Sequence, residues 1–312
     1  MARTPAARAG EGGGTEENGM TAPAALSAAI GTYPRTRALK EGGVASGLIR
    51  LDFAGFPVIS RAFAPMVREL RFDVSEMAIA TFLQARAVGR PIVLLPVVLA
   101  ARFQQSAMLC RADSDIRGPA DLAGRRIGVR AYSQTTGMWI RGIVAEEGGP
   151  PPSASRWITF EEAHVQGIAD PAWAERAAPG QDMMAMLRAG ELDAVIVGND
   201  VPDDPGLRTV FPDPAAAAQA FWARHRIVPV NHMLTVKREL AEARPELVAE
   251  ILRMARASAA PVPVGEHGAP PDTRAALRPV IGLALNYMAA QDMLPRPLTV
   301  DEVWAGLPDG VE

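Results

Sequence analysis

The chain holds a single cysteine, Cys110, among 312 residues. One thiol excludes an intramolecular disulfide and any metal site built on several thiolates. Its place in the apolar run Ala107 to Cys110 reads as a buried, inert side chain. An excess of basic charge is missing as well: 32 Lys and Arg stand against 35 Asp and Glu, a formal charge of −3. Nucleic-acid binders carry a basic stripe, so no nucleic-acid partner is expected and a small molecule fits better. Long apolar runs are also lacking. Pro91 to Ala101 is the most apolar stretch and contains Pro96, but it falls far short of the roughly 20 residues that span a membrane. It reads as a buried strand, and no membrane partner is expected. The opening MARTPAARAGEGGGTEENGM has no apolar segment of the kind a secretory signal needs, which points to the cytoplasm. Residues 1–24 read as a flexible tail.

What is present is a soluble globular balance, 48% apolar and 21% charged, in a chain long enough for two modest lobes with their own cores. A homo-oligomer is compatible with it. Strand and helix patterns alternate, and one stretch stands out: LAGRRIGVRAYSQTTGMWIRG, Leu122 to Gly142. An apolar strand, Ile127 to Arg130, runs into a polar loop and then a helix whose first-turn amides lack partners inside the helix. A helix start at the carboxyl end of a strand suits an anion, and Arg130 adds positive charge there. Ser133 as an ordinary helix cap is the plainer reading of the same residues.

Two similar turns precede it. Phe72-Asp73-Val74 reads as a short strand, with Ser75 capping a helix over Glu76 to Val88; Asp73 and Glu76 at this turn could accept from substrate hydroxyls, the plainer reading being that Ser75 only caps and Glu76 complements the helix dipole. Near the N-terminus Pro34 fixes a turn, and Arg35 and Arg37 on either side of Thr36 form a fork for a carboxylate. Phe63, Met66, Val67 and Leu70 repeat at helical spacing and read as core. Ala194 to Val197 forms an apolar strand ending at Gly198, Asn199 and Asp200. Two extended segments, Gln105 to Arg111 and Arg226 to Val236, bracket a self-contained α/β unit, and Asn231 and His232 lie in the middle of the second. The expected architecture is α/β with two lobes, residues 25–108 and 233–312 forming one and 109–232 inserted as the other. The ligand cleft then lies between them. Glu161, Glu162 and His164 have the look of an accidental surface cluster, and no metal is expected.

The motifs YPRTRAL, RFDVSEMAIATFLQAR, ADSDIRGPADLAGRRIGVRAYSQTTGMWIRG, AGELDAVIVG and PVNHM together resemble the type 2 periplasmic-binding-protein fold, and within it the 4,5-dihydroxyphthalate decarboxylase family. The resemblance runs from Tyr33 to Trp304. It implies loss of carbon dioxide from a hydroxylated aromatic acid without oxidation, with 4,5-dihydroxyphthalate giving 3,4-dihydroxybenzoate (protocatechuate). In that substrate each carboxylate lies para to a hydroxyl, so electrons from the hydroxyl reach the carbon that must be protonated, and no cofactor is obligatory. Arg35, Thr36, Arg37, Ser75, Arg130, Ser133, Gln134, Thr135, Thr136, Asn199 and Asn231 are then the expected substrate anchors. His232 and His164 are the expected proton carriers because imidazole titrates nearest neutral pH, with Asp73 or Glu76 taking a phenol proton or orienting a histidine. The alternative from another class is a solute-binding protein, cytoplasmic or transporter-associated, that holds a small carboxylate without turnover.

Overall fold

The run IVLLPVVLAA over 92–101 has no charged residue, and its side chains are buried from Ile92 to Leu99. An uninterrupted apolar run of this kind forms a strand covered on both faces. The computed structural model describes residues 1, 22–199, 201–259, 266–268 and 270–312. Most of the expected tail, and Asp200, lie outside the described residues.

The elements alternate along the chain. They are β1 (Ala24–Ala29), α1 (Pro34–Lys40), β2 (Ile49–Phe53), α2 (Phe63–Glu69), β3 (Val74–Ala78), α3 (Ile79–Ala87), β4 (Ile92–Ala101), β5 (Met108–Arg111) and β6 (Arg126–Val129). After these come α4 (Thr135–Glu146), β7 (Arg156–Thr159), β8 (Ala174–Arg176), α5 (Met183–Ala189), β9 (Ala194–Ile196), β10 (Leu207–Thr209) and α6 (Pro214–His225). The chain closes with β11 (Val230–Lys237), α7 (Arg238–Ala243), α8 (Pro245–Ala259), α9 (Arg274–Ala290) and α10 (Val300–Val303). The strands form two sheets, a five-stranded one in the order β2-β1-β3-β11-β4 and a six-stranded one in the order β10-β5-β9-β6-β7-β8. Each mixes parallel strands with antiparallel returns: β11 runs antiparallel to β3 and β4, and β5 antiparallel to β9 and β10. The chain crosses between the sheets at 102–107 and 226–229. The fold is α/β with two sheets, and Thr299 and Glu302 form a capping box at the start of α10.

Three local differences from the sequence reading matter for the site. Val74 to Ala78 is a strand where a helix is expected to begin at Glu76. Its five residues pair with β11 from Val236↔Val74 to His232↔Ala78, and this ladder overrides the helix propensity of Glu-Met-Ala. The helix therefore starts at Ile79 behind Ala78, and Ser75 caps nothing. Likewise Gln134, not Ser133, is the N-cap residue of α4, and no side chain caps that helix. Gln105 to Ala107 forms a single 3-10 turn, so only Met108 to Arg111 is strand.

Pro96 lies in an edge strand, where a missing amide donor is tolerated. Opposite it the register breaks: β4 takes three residues from Leu95 to Val98 while β11 advances one, from Leu234 to Met233, and the register shifts again at His232. Such bulges bend a strand and re-aim its side chains.

Across the two halves α4 packs on α9. Gly142 allows this, because a Cβ there would lie 2.1 Å from the ring of Tyr287, itself packed edge-on against Trp139. Replacing an exposed helical glycine with alanine gains up to about 1 kcal/mol. Here the sign reverses: Gly142→Ala should lower stability by about 1–3 kcal/mol in urea unfolding through overpacking, and an unchanged or raised midpoint would contradict the packing described.

Candidate active site

Glu76 is fully buried, which costs far more than it returns unless the carboxylate is paired or fully hydrogen-bonded. The fold supplies three donors. The Gly31 amide reaches Oε2 at 2.7 Å, the Tyr33 hydroxyl reaches Oε1 at 2.8 Å, and His232 Nδ1 lies 2.6 Å from the same Oε1. Gly31 and Tyr33 come from the turn after β1, and His232 comes from β11 at its bulge, directly across from Ala78. With Nδ1 tied to the carboxylate, Nε2 is the ring nitrogen left for a ligand. Burial first, then the charge and hydrogen bond of Glu76, raises the Tyr33 pKa above its ordinary value, so this hydroxyl stays a donor.

Tyr33, Ala78 and His232 form one wall of a cavity of about 350 Å³, within the size range of small-molecule sites. His164, Arg130 and the turn Ser133 to Thr136 form the facing wall. Phe63 meets both imidazoles edge-to-face, at 5.2 Å (His232) and 5.7 Å (His164). His164 Nδ1 bonds the Thr81 hydroxyl at 2.9 Å. From α2, Arg68 donates to the backbone carbonyls of Ala163 and His164, both at 2.8 Å, and so clasps the loop of the second sheet against the first. Burial, with Arg130, Arg68 and His232 adding to it, lowers the His164 pKa to about 4. His164 is therefore neutral at neutral pH.

The start of α4 brings polar side chains and an uncapped helix end to the cavity. Ser133, Gln134, Thr135 and Thr136 all line the cavity, no side chain caps the helix, and its first-turn amides are open to a carboxylate. The Thr135 hydroxyl accepts from the Ala80 amide at 3.2 Å, and among the described residues Gln134 Oε1 is buried without a partner. Arg130 reaches the cavity but is already paired with Glu161 at 2.6 Å, so an incoming carboxylate competes with that partner. Asn199 and Asn231 also line the cavity, the latter accepting from Gln104 Nε2 at 2.8 Å.

Five expected site residues are not brought to this cleft. Arg35 and Arg37 sit two apart on a helix and so point to opposite sides. Arg37 is exposed near Glu41, while Arg35 donates to the Val98 carbonyl and lines a separate cavity. Thr36 turns inward as a cap, accepting from the Tyr33 amide and donating to the Gly31 carbonyl. Asp73 is paired with Lys237 at 2.8 Å and bonded by Ser27. Against the burial that would raise it, these bonds hold its pKa below the usual carboxylate value. Ser75, fully buried, donates to the Glu76 carbonyl. Tyr33, Phe63 and Thr81 belong to the site but escape the sequence reading. Gly31-Thr32-Tyr33 just after a strand is the one signal that could have found the first of them.

A family model described as "NMT1/THI5 like" matches residues 66–191. A 4,5-dihydroxyphthalate decarboxylase of Comamonas testosteroni is 31% identical over 250 residues, covering 73% of this chain and 72% of the relative. The chain belongs to the 4,5-dihydroxyphthalate decarboxylase family. A protein of the same name from Pseudomonas putida is 30% identical over 213 residues, covering 63% of this chain and 81% of the relative. Among solved structures, the periplasmic aliphatic sulphonate binding protein SsuA of Escherichia coli superposes with a TM-score of 0.51 at 15% identity, covering 90% of this chain and 88% of that one. The chain thus has a periplasmic-binding-protein-like fold.

Two measurements check the placements. The native state holds His164 neutral down to about pH 4, whereas its ordinary value is 6.5. The unfolded chain therefore binds the extra proton as pH falls from 6.5 to 4, and native stability drops across that window. His164→Gln should remove this component, making stability less acid-sensitive than wild type between pH 6.5 and 4.5. Equal slopes would refute the buried neutral imidazole. Asp73→Asn should cost about 1–3 kcal/mol of stability yet leave ligand affinity in the cleft unchanged, since its partners are Ser27 and Lys237.

Proposed function

We propose that this chain catalyses non-oxidative decarboxylation of a hydroxylated aromatic carboxylic acid, with 4,5-dihydroxyphthalate giving 3,4-dihydroxybenzoate and carbon dioxide as the leading case. The observation that carries the proposal is the Glu76–His232 pair in the cleft wall. Anchoring a ligand needs donors, but it gives no reason to bury a carboxylate behind one nitrogen of a histidine while the other nitrogen faces the cavity. A proton carrier needs that arrangement, because the carboxylate fixes the tautomer and faces any imidazolium that forms. The printed names of the two curated relatives support the same reading.

The chemistry follows from the walls. The start of α4, with Ser133, Thr135, Thr136 and Arg130, receives carboxylate oxygens. The hydroxyl para to the departing carboxylate lies toward His164. His232 enters the step as the imidazolium, with Nδ1–H on Glu76, and gives its Nε2 proton to the ring carbon bearing that carboxylate, so that a new C–H bond forms and a neutral imidazole remains. The para hydroxyl becomes strongly acidic as the ring takes up this proton, so a weakly basic, neutral His164 suffices to accept its proton. The carbon–carboxylate bond then breaks, its electron pair returns to the ring, and carbon dioxide leaves. His164 returns its proton to the phenolate and solvent reprotonates His232, so each turnover consumes one proton from solution. The ring is the electron sink throughout.

Purified protein incubated with 4,5-dihydroxyphthalate should release carbon dioxide and 3,4-dihydroxybenzoate in equal amounts, followed by chromatography. General acid catalysis contributes about 100- to 10,000-fold, so His232→Asn should lower kcat by that much while ligand binding stays measurable by calorimetry. Binding of hydroxylated aromatic acids without turnover by the wild type would leave a solute-binding protein as the reading, and full activity of His232→Asn would remove this histidine from the mechanism.

A further inference from the structure

A second cavity, of about 520 Å³, shares no lining residue with the cleft. Both chain crossings between the sheets contribute to it: Arg102 and Phe103 from the first, Arg226 from the second, with Arg35 entering from α1 and Trp222 from α6. Its positive charge exceeds the negative charge near it: among the described residues none of the three arginines forms an ion pair, and Asp272 acts on Arg35 only from beyond ion-pair distance. Arg35 donates only to the Val98 carbonyl. Arg102 donates through Nη2 to the Thr136 hydroxyl and the Gly198 carbonyl, and its Nε is buried without a partner. One carboxylate, Glu266, also lines the cavity but is exposed and faces Gln219. Burial pulls the pKa of both Arg35 and Arg102 below the usual arginine value, and for Arg35 it outweighs the opposing charge of Asp272, as expected of cations held partly out of water.

The remaining walls are flat and apolar. The His267 ring packs at 5.0 Å on Phe103 and 4.7 Å on Trp222, so aromatic faces and edges stand beside the guanidinium groups. Guanidinium forks match carboxylates bidentately, and aromatic walls accept a flat ring. We propose that this cavity is a second ligand site, taking an organic carboxylate with a flat aromatic body, its carboxylate held by Arg35, Arg102 and Arg226 and its ring against Phe103 and Trp222. It is separate from the cleft but not isolated from it. Thr136 and Gly198, the two groups that Arg102 holds, both line the cleft, so the guanidinium that would bind the second ligand also positions part of the first site.

Trp222 provides the readout. Titration with 2-naphthoate, which lacks the hydroxyl that decarboxylation requires, should change tryptophan fluorescence saturably in the wild type, and Trp222→Phe should abolish that change. The double variant Arg35→Gln with Arg226→Asn, asparagine being tolerated at the positive φ of residue 226, should raise the midpoint at least tenfold. His232→Asn, which alters only the cleft, should leave it within about twofold. A signal that survives in Trp222→Phe, or a midpoint that moves with His232→Asn and not with the arginines, would place the ligand in the cleft and overturn the second site. Saturation only above about 10 mM, weaker than −3 kcal/mol of binding, would overturn it as well.

Discussion

A carboxylate that no water reaches must be satisfied by the protein, and Glu76 is the group around which the first half of this molecule is arranged. Its three donors come from the turn after β1 and from the return strand β11, elements that join the sheet from distant parts of the sequence. The pairing of β3 with β1 and β11 at once is what brings them together. Removing the carboxylate would strand the Gly31 amide and the Tyr33 hydroxyl as well as the histidine, and unpaired buried donors each cost of the order of 1–3 kcal/mol. The residue that orients the proposed proton carrier is thus also a keystone of the sheet, and folding and chemistry draw on the same contact.

The second sheet contributes a different kind of group. Its part of the cleft is the uncapped start of α4, the hydroxyls of Ser133, Thr135 and Thr136, Arg130 already engaged by Glu161, and a histidine that burial keeps neutral. In the proposed reaction one half would give a proton and the other would hold the anion and accept a proton. Arg68 crosses from α2 to grip the backbone at 163–164, so His164 is held in place beside Phe63 and Thr81 before any ligand arrives. Preorganisation of this kind lowers the cost of ordering a site at the moment of binding.

Much of this was legible in the sequence, and what was not has physical causes. The strand-loop-helix at Ile127 to Thr136 is local, so its anion-binding turn can be read from the order of residues alone, and the two crossing segments mark where the chain changes sheets. His232 could be singled out because it lies in the second of them. The failures are non-local or angular. Glu76 looks like a helix start beside Asp73 and Ser75 because nothing in the neighbouring sequence reveals that β11, more than 150 residues away (|i−j| = 156 for Glu76 to His232), will pair along it. Once β3 is extended, Asp73 and Ser75 point to the face opposite Glu76. The fork expected of Arg35 and Arg37 fails on helical geometry, since only residues three or four apart share a face. Phe63 fits its core stripe and yet touches both histidines, a double role that periodicity cannot separate.

The proline in β4 bears on all of this. Side chains on a strand alternate between faces, so a shift of one residue in β11 would turn His232 away from Glu76 and bring Asn231 or Met233 in its place. Regular ladders resist such slips only through their side chains. Here the bulge opposite Pro96 makes the two strands unequal in length over the same span, and an irregular ladder can be assembled in one alignment where a uniform one could slide. Pro96 thereby acts as a register lock: a residue with no polar side chain, on the outer strand, helps decide which face of the sheet carries His232.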